Sequence, residues 1–216
     1  MKPKNVLLGA LGMTAAGFLV WRWISRVRHL PCPHWMAWML ENPVVEAIRG
    51  TRLTLELIGV RPGERCLDVG AGPGRLTLPA ARLVGPTGSV VALDAQPEML
   101  ERLRARLEQE RLENVTLVRG DIALESCLAE ESESFDRAWL VTVLGEIPYR
   151  EVALRNLFRL LKPGATLSLT EFLPDPHFQR RCTVITLCRE AGFEEGDFNG
   201  SAFAYTQNFV KPAATA

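Results

Sequence analysis

The sequence predicts an α/β domain built on a doubly wound, mainly parallel sheet. Three observations carry that expectation. From residue 64 onward, short β-rich runs alternate with amphipathic helical stretches. A glycine-rich loop, Leu67-Asp68-Val69-Gly70-Ala71-Gly72-Pro73-Gly74-Arg75, joins the first run to the first helix. Acids close three successive runs, at Asp68, Asp94 and Asp121.

The elements follow in order. Arg65 to Val69 reads as a strand, and Leu76 to Leu83 as the helix behind the loop. Ser89 to Leu93 is a valine-rich strand after the turn Gly85-Pro86-Thr87-Gly88. Glu98 to Arg111 places Met99, Leu100, Leu103 and Leu107 on one helical face. Val115 to Val118 and Phe135 to Val143 are the next strands. A helix over Arg150 to Leu161 and a strand over Thr166 to Thr170 follow, separated by a turn at Lys162-Pro163-Gly164. A helix over about 178–191, stopped by Gly192, and two β runs near 193–198 and 203–209 complete the pattern.

Composition bounds the possibilities. The chain has 216 residues, 47% hydrophobic and 23% charged, enough for one domain with a packed core and an appendage. With 25 basic and 25 acidic residues, it lacks the broad positive face of a dedicated nucleic-acid binder. Its five cysteines include no C-x-x-C pair, which suits a reduced, intracellular protein. Cys32-Pro33-His34 offers two potential ligands but no second pair, so no metal is expected.

The N-terminal region has a different character. Val6 to Trp21 is an unbroken run of apolar or small residues, and Trp23-Ile24 extends it past Arg22. Residues 1–40 hold Lys2, Lys4, Arg22, Arg26 and Arg28 and no acid. Trp21, Trp23, Trp35 and Trp38 fall in the same stretch. Length, basic flank and tryptophans point to an uncleaved membrane anchor over 1–30, with the following domain on the cytoplasmic side. A signal peptide is disfavoured because bulky Trp and Arg residues follow the run. Gly12 and Ala16 form a small-xxx-small pair suited to a homodimer through this helix. Residues 31–60 read as interfacial and lid helices, the last starting at Asn42-Pro43 and ending near Gly59, and 61–212 as the main domain.

The glycine loop sits where such sheets bind ligands, at the carboxyl ends of the strands. A dinucleotide fingerprint is G-x-G-x-x-G, whereas this loop is G-x-G-x-G and Arg75 takes the position of the last glycine. Asp68, just ahead of the loop, would repel a pyrophosphate and favour an ammonium group. A carboxylate at Asp94 can accept hydrogen bonds from two ribose hydroxyls. Asp121 and Ile122 suit an adenine amino group and ring face. Together they describe a pocket for a cationic aminoacyl nucleoside.

These residues carry a resemblance. LDVGAGPGR, VVALD, GDI, FDRAWLVTVLGEIP and LLKPGATLSLTEF are similar to the successive motifs of class I S-adenosylmethionine-dependent methyltransferases, over about residues 64–172 and on to about 209. The nearest branch is the one that includes quinone and phospholipid methyltransferases. The resemblance implies a Rossmann-like, seven-stranded sheet in the order 3-2-1-4-5-7-6, with strand 7 antiparallel. It implies S-adenosyl-L-methionine as cofactor and S-adenosyl-L-homocysteine as product. Asp68, Gly70, Ala71, Gly72 and Gly74 would line the methionine end, Asp94 and Ala95 the ribose, and Asp121 and Ile122 the adenine. Val141-Thr142-Val143-Leu144 lacks the motif of DNA amino-methyltransferases, which agrees with no nucleic-acid partner.

Glu146, His177 and Tyr205 are the candidate catalytic residues, at or beyond the strand ends. The expected acceptor is a lipid or lipophilic small molecule reached from the membrane. A soluble amine, thiol or protein acceptor, a non-catalytic cofactor-binding scaffold and a nicotinamide oxidoreductase are the competing readings.

Overall fold

The computed structural model describes residues 50–129, 131–173 and 175–213. The anchor expected over 1–30, its pairing face and the interfacial segment up to residue 49 lie outside the described residues. No helix among the described residues is long and apolar enough to cross a membrane.

Seven strands form one sheet: β1 (Arg65–Val69), β2 (Ser89–Asp94), β3 (Val115–Arg119), β4 (Phe135–Val141), β5 (Leu161–Phe172), β6 (Glu194–Gly200) and β7 (Ala204–Val210). Their order is β3-β2-β1-β4-β5-β7-β6. The first five run parallel, and β7 lies antiparallel between β5 and β6. The strand reversal between β2 and β4 around β1 opens a crevice at the carboxyl ends, the usual ligand site of such sheets.

Among the described residues, five α-helices flank the sheet: α1 (Thr51–Ile58), α2 (Thr77–Val84), α3 (Pro97–Glu110), α4 (Arg150–Leu160) and α5 (Arg181–Glu190). Alternation along the strands divides the core between the two faces. Cys66, Val90 and Trp139 pack with Leu55 and Ile58 of α1 and with Ala80, Ala81 and Val84 of α2. Ala92 packs with Leu103 and Leu107 of α3. Leu67, Val91, Leu93, Ala138 and Leu140 point the other way, into the larger cluster that holds Leu154, Leu157 and Val184 of α4 and α5.

The helix expected to run from Asn42-Pro43 to near Gly59 instead begins at Thr51, because Gly50 at φ +41° interrupts it, while its far end falls where the sequence places it. Gly59 terminates α1 in a left-handed conformation, φ +77°. The Arg137 guanidinium and the Asn208 amide donate to the Ile58 and Leu57 carbonyls, satisfying acceptors that a helix terminus leaves open. Pro97 occupies the first turn of α3, where its missing N–H costs nothing.

Two local expectations need correction. Lys162-Pro163-Gly164 is not a turn ahead of a separate strand. It bulges within β5, since Phe135 pairs with Leu161 but Arg137 pairs with Thr166. Gly164, at φ +80°, carries the bulge, and its N–H donates to the Lys211 carbonyl. Strand β4 stops at Val141 rather than Val143, because Thr142 adopts φ +59° and turns the chain toward the crevice.

Candidate active site at the carboxyl ends of the strands

The crevice holds a cavity of about 320 Å³. Its floor is the loop after β1, its walls are the ends of β2, β3 and β4, and Glu146, Ile147, Pro148 and Asp175 stand at its far side. Of the expected cofactor residues, Asp68, Gly70, Ala71, Gly72, Asp94, Ala95, Asp121 and Ile122 all line it.

The glycine loop shows what this cavity accepts. The Gly70 and Ala71 amides both donate to the Leu93 carbonyl, at 2.8 and 3.1 Å. The Gly72 amide donates to Asp94 Oδ2 at 2.8 Å, and the Gly74 amide to the Ala71 carbonyl at 3.0 Å. Pro73 has no N–H. These four loop amides are therefore committed within the protein and not offered to a phosphate. That geometry tells against the nicotinamide reading.

The three glycines do different work. All have positive φ, at +72°, +55° and +92° for Gly70, Gly72 and Gly74. A β-carbon at Gly70 would lie 2.4 Å from Val143, on the cavity wall, and one at Gly74 would lie 2.4 Å from Leu103 of α3. One at Gly72 would meet nothing within 4 Å and would project into open space. Gly74 does not line the cavity, which corrects the expectation for it. Its missing side chain lets α3 pack against the start of α2.

The acids differ as well. Asp94 is 8% exposed, and its two oxygens accept the Gly72 and Gln96 amides. Burial raises its pKa, and the backbone amides oppose that rise. The carboxylate has about four lone-pair sites, so acceptor capacity remains for a ligand hydroxyl. Asp68, 3% exposed, accepts a 2.6 Å hydrogen bond from the Thr77 hydroxyl. Burial pushes its pKa up to about 6, against the opposing pull of Thr77, Trp139 and Arg75. The Trp139 indole N–H, opposite it on β4, makes no hydrogen bond of normal geometry, so we assign the main support of the carboxylate to Thr77. Asp121 Oδ1 accepts the Ala123 amide and so shapes the turn that presents Ile122.

Among the catalytic candidates, only Glu146 lines the cavity, on the 3₁₀ turn Leu144–Glu146. His177 and Tyr205 do not. His177 is 4% exposed, and its carbonyl sits so close to Gly145 that a β-carbon there would approach it to 1.9 Å. Its amide donates to Asp175 Oδ1 at 2.8 Å. Tyr205 is 3% exposed, packs edge-on against Phe178 and donates its hydroxyl to the Gln179 carbonyl at 2.9 Å. Burial raises its pKa further above the normal tyrosine value, so it is a poor proton acceptor. Asp175, beyond β5, reaches the cavity instead.

Sequence reasoning passed over several residues that shape the site. Thr77 orients Asp68 from the first turn of α2. Asn156 of α4 donates to the carbonyls of Ile122 and Leu124, at 2.7 and 3.1 Å, and pins the loop after β3. A polar residue on the buried face of an amphipathic helix was the signal for Asn156. Thr142 lines the cavity in a left-handed conformation uncommon for a β-branched residue, for which the sequence held no signal.

Arranged this way, the cavity suits an ammonium group near Asp68, hydroxyls at Asp94 and a flat ring at Ile122. S-adenosylmethionine has all three features, and the open space at Gly72 gives its backbone a close approach. Comparison with known proteins agrees. Residues 66–164 match the family described as methyltransferase domain. The chain is 41% identical over 122 residues to the ubiquinone/menaquinone biosynthesis C-methyltransferase UbiE of Ectopseudomonas mendocina, covering 56% of this chain and 46% of that protein. It is 38% identical over the same length to the protein of that name from Pseudomonas aeruginosa, again covering 56% and 46%. The chain thus spans about half the length of the curated relatives it matches. Among solved structures, a SAM-dependent methyltransferase from Aquifex aeolicus superposes with a TM-score of 0.76 at 20% identity, covering 84% of this chain and all of that one. The [4+2]-cyclase SpnF superposes at 0.67 and 19% identity, covering 77% and 81%. Those two likenesses establish the fold. Residues 66–164 thus match a methyltransferase domain, carried on a Rossmann-like seven-stranded sheet.

Proposed function

We propose that the protein transfers the methyl group of S-adenosylmethionine to a carbon of a lipophilic, quinone-class ring at a membrane. The observation that carries the reading is the cavity: three acids at three strand ends beside a glycine loop whose amides are already committed. The relatives named for quinone biosynthesis support the acceptor class. The apolar N-terminal run and its basic flank support the membrane.

The cofactor supplies an electrophilic methyl on a sulfonium, so the protein's task is chiefly placement. Asp68 holds the ammonium, Asp94 accepts the ribose hydroxyls, and Asp121 with Ile122 receives the adenine. Arg75, also on the cavity wall, suits the cofactor's carboxylate. Ring methylation replaces a proton on carbon, and Glu146 stands at the acceptor side to take that proton.

The test supplies full-length protein with methyl-labelled S-adenosylmethionine and a membrane lipid extract. Label in the organic phase that disappears with Asp94→Ala supports the reading. Label confined to the aqueous phase, with S-adenosylhomocysteine still bound, overturns the lipophilic acceptor.

A further inference from the structure

Seven large hydrophobic side chains stand exposed among the described residues, and they are unevenly placed. Five of them, Leu53, Leu124, Tyr149, Leu173 and Phe203, sit on segments at the carboxyl ends of the strands, the end that holds the cavity. Tyr149 and Phe203 are 67% and 64% exposed, well beyond incidental surface contact. Tyr149 directly follows Ile147-Pro148 of the cavity wall, and Leu124 lies two residues past Ile122. Leu173 leaves β5 and donates its amide to the carbonyl of Phe203, which lies in the turn between β6 and β7. Leu53 lies two residues past Thr51, whose hydroxyl is 3.4 Å from Arg75 of the glycine loop. Of the other two, Phe198 lies under the Arg181 guanidinium and Leu83 sits near the far end of α2.

The chain ahead of α1 joins the domain at this same end, because α1 begins at Thr51, beside the glycine loop. The first forty residues of that stretch carry the apolar run Val6 to Trp21 and five basic side chains without an acid, and Glu41, Glu46 and Arg49 follow. Exposed apolar side chains around a cavity mouth mark an interaction surface. A basic, apolar segment attached beside them selects an anionic bilayer as the partner.

We infer that the rim formed by Leu53, Leu124, Tyr149, Leu173 and Phe203 is the face through which the domain docks on a lipid bilayer, with the cavity mouth turned to the acyl boundary. The inference rests on the membrane reading above and deepens it. The apolar rim side chains enter the boundary between headgroups and acyl chains. A lipophilic ring then reaches Glu146 without crossing water.

Hydrogen exchange of the full chain, with and without vesicles of phosphatidylethanolamine and phosphatidylglycerol, tests the face. Amides around residues 124, 149, 173 and 203 are expected to slow by at least about threefold on vesicle addition, while the opposite-end turns at 86–88 and 131–134 do not change. Leu173→Ser with Phe203→Ser should abolish the slowing near 173 and 203 while S-adenosylhomocysteine binding persists. Vesicle binding with protection elsewhere overturns the proposal. So does a rim protected without lipid and unaffected by it, which would mean that the chain's own N-terminal stretch covers it. Absence of vesicle binding overturns it together with the membrane reading. Protection of the rim without label transfer in the lipid-extract assay would leave docking in place and refute the acceptor class alone. Label transfer with an unprotected rim would refute docking alone.

Discussion

The glycine loop gives the sharpest perturbation, because the structure assigns its glycines opposite roles. Replacing Gly72 with Ala adds a methyl where nothing lies within 4 Å, at φ +55°. The left-handed backbone costs the folded state roughly 1–2 kcal/mol for a residue with a β-carbon, and no packing penalty adds to it. In a domain of this size, that lowers Tm by about 2–8 °C. The methyl occupies the space that the cofactor must approach, so affinity should fall at least tenfold, about 1.4 kcal/mol. Gly74→Ala reverses the pattern. Its φ of +92° lies outside the left-handed helical region, and the added carbon would sit 2.4 Å from Leu103, which is fully buried. Backbone strain of about 1–3 kcal/mol and overpacking of about 1–3 kcal/mol combine there, so stability should fall roughly twice as far as in Gly72→Ala. Affinity should stay within about threefold, because Gly74 does not line the cavity. Thermal unfolding by circular dichroism and calorimetric titration with S-adenosylhomocysteine, below both melting transitions, measure the two quantities. Wild-type affinity in Gly72→Ala would refute the placement of the cofactor. Equal loss of affinity in Gly74→Ala would refute the division between packing and binding.

Other substitutions probe the remaining parts. Burial pushes the Asp68 carboxyl up to about 6 from the ordinary 3.8, so the native state binds the extra proton between those values. Its contribution therefore makes the ligand-free protein more stable as pH falls from 6 toward 4, by about 3 kcal/mol, and Asp68→Asn should remove that component from the difference between the two pH–stability curves. Cofactor affinity should fall over the same window, as the carboxylate that faces the ammonium is neutralised; an affinity constant from pH 7 to 5 would contradict the assignment. Asn156→Ala removes two hydrogen bonds to the loop after β3 and should destabilise by about 1–3 kcal/mol. Its kinetic mark should be a raised KM for S-adenosylmethionine with little change in kcat. Glu146→Gln should lower kcat by about 10²–10⁴ if that carboxylate takes the ring proton, whereas Tyr205→Phe should leave kcat within about twofold and cost about 1 kcal/mol of stability. Steady-state rates on the lipid-extract acceptor separate them.

Much of this molecule is legible in its sequence, for identifiable reasons. Parallel strands buried on both faces read as valine- and leucine-rich runs, and β2 follows that pattern. The glycine loop and the strand-end acids are local signals, so their positions on the cavity followed from spacing and topology. His177 and Tyr205 misled because proximity to a strand end does not specify direction. Tyr205 pairs with Glu171 across β5 and β7, one edge away from the crevice, and its ring goes into the core beside Phe178. The Pro-Gly bulge in β5 was hidden because the same dipeptide serves a turn, and only the pairing with β4 distinguishes the two. Asn156 and Thr77 act across the fold, on groups distant in sequence, and no local pattern reveals such a partner.

The amino ends of the strands present the opposite chemistry, and this contrast can be tested. Arg137 makes two hydrogen bonds to Glu64, at 2.9 and 2.8 Å, and a third to the Ile58 carbonyl at the end of α1. Nearby, Lys211 pairs with Glu133, Arg65 with Glu131 and Lys162 with Asp136. Charges at this end are matched inside the protein, whereas the acids at the other end border a cavity. A fold held at its floor can tolerate a strained Thr142 and a desolvated Asp68 at its mouth, since the surrounding structure over-determines them. Arg137→Leu should therefore be severe for stability and mild for binding. It leaves the half-buried Glu64 without its partner and the Ile58 carbonyl without its guanidinium donor, which costs about 3–5 kcal/mol. The expected result is a large fall in Tm with S-adenosylhomocysteine affinity kept within about threefold at low temperature. A parallel collapse of affinity while the protein is still native would show that the floor sets the geometry of the mouth, and would refute the separation of the two ends.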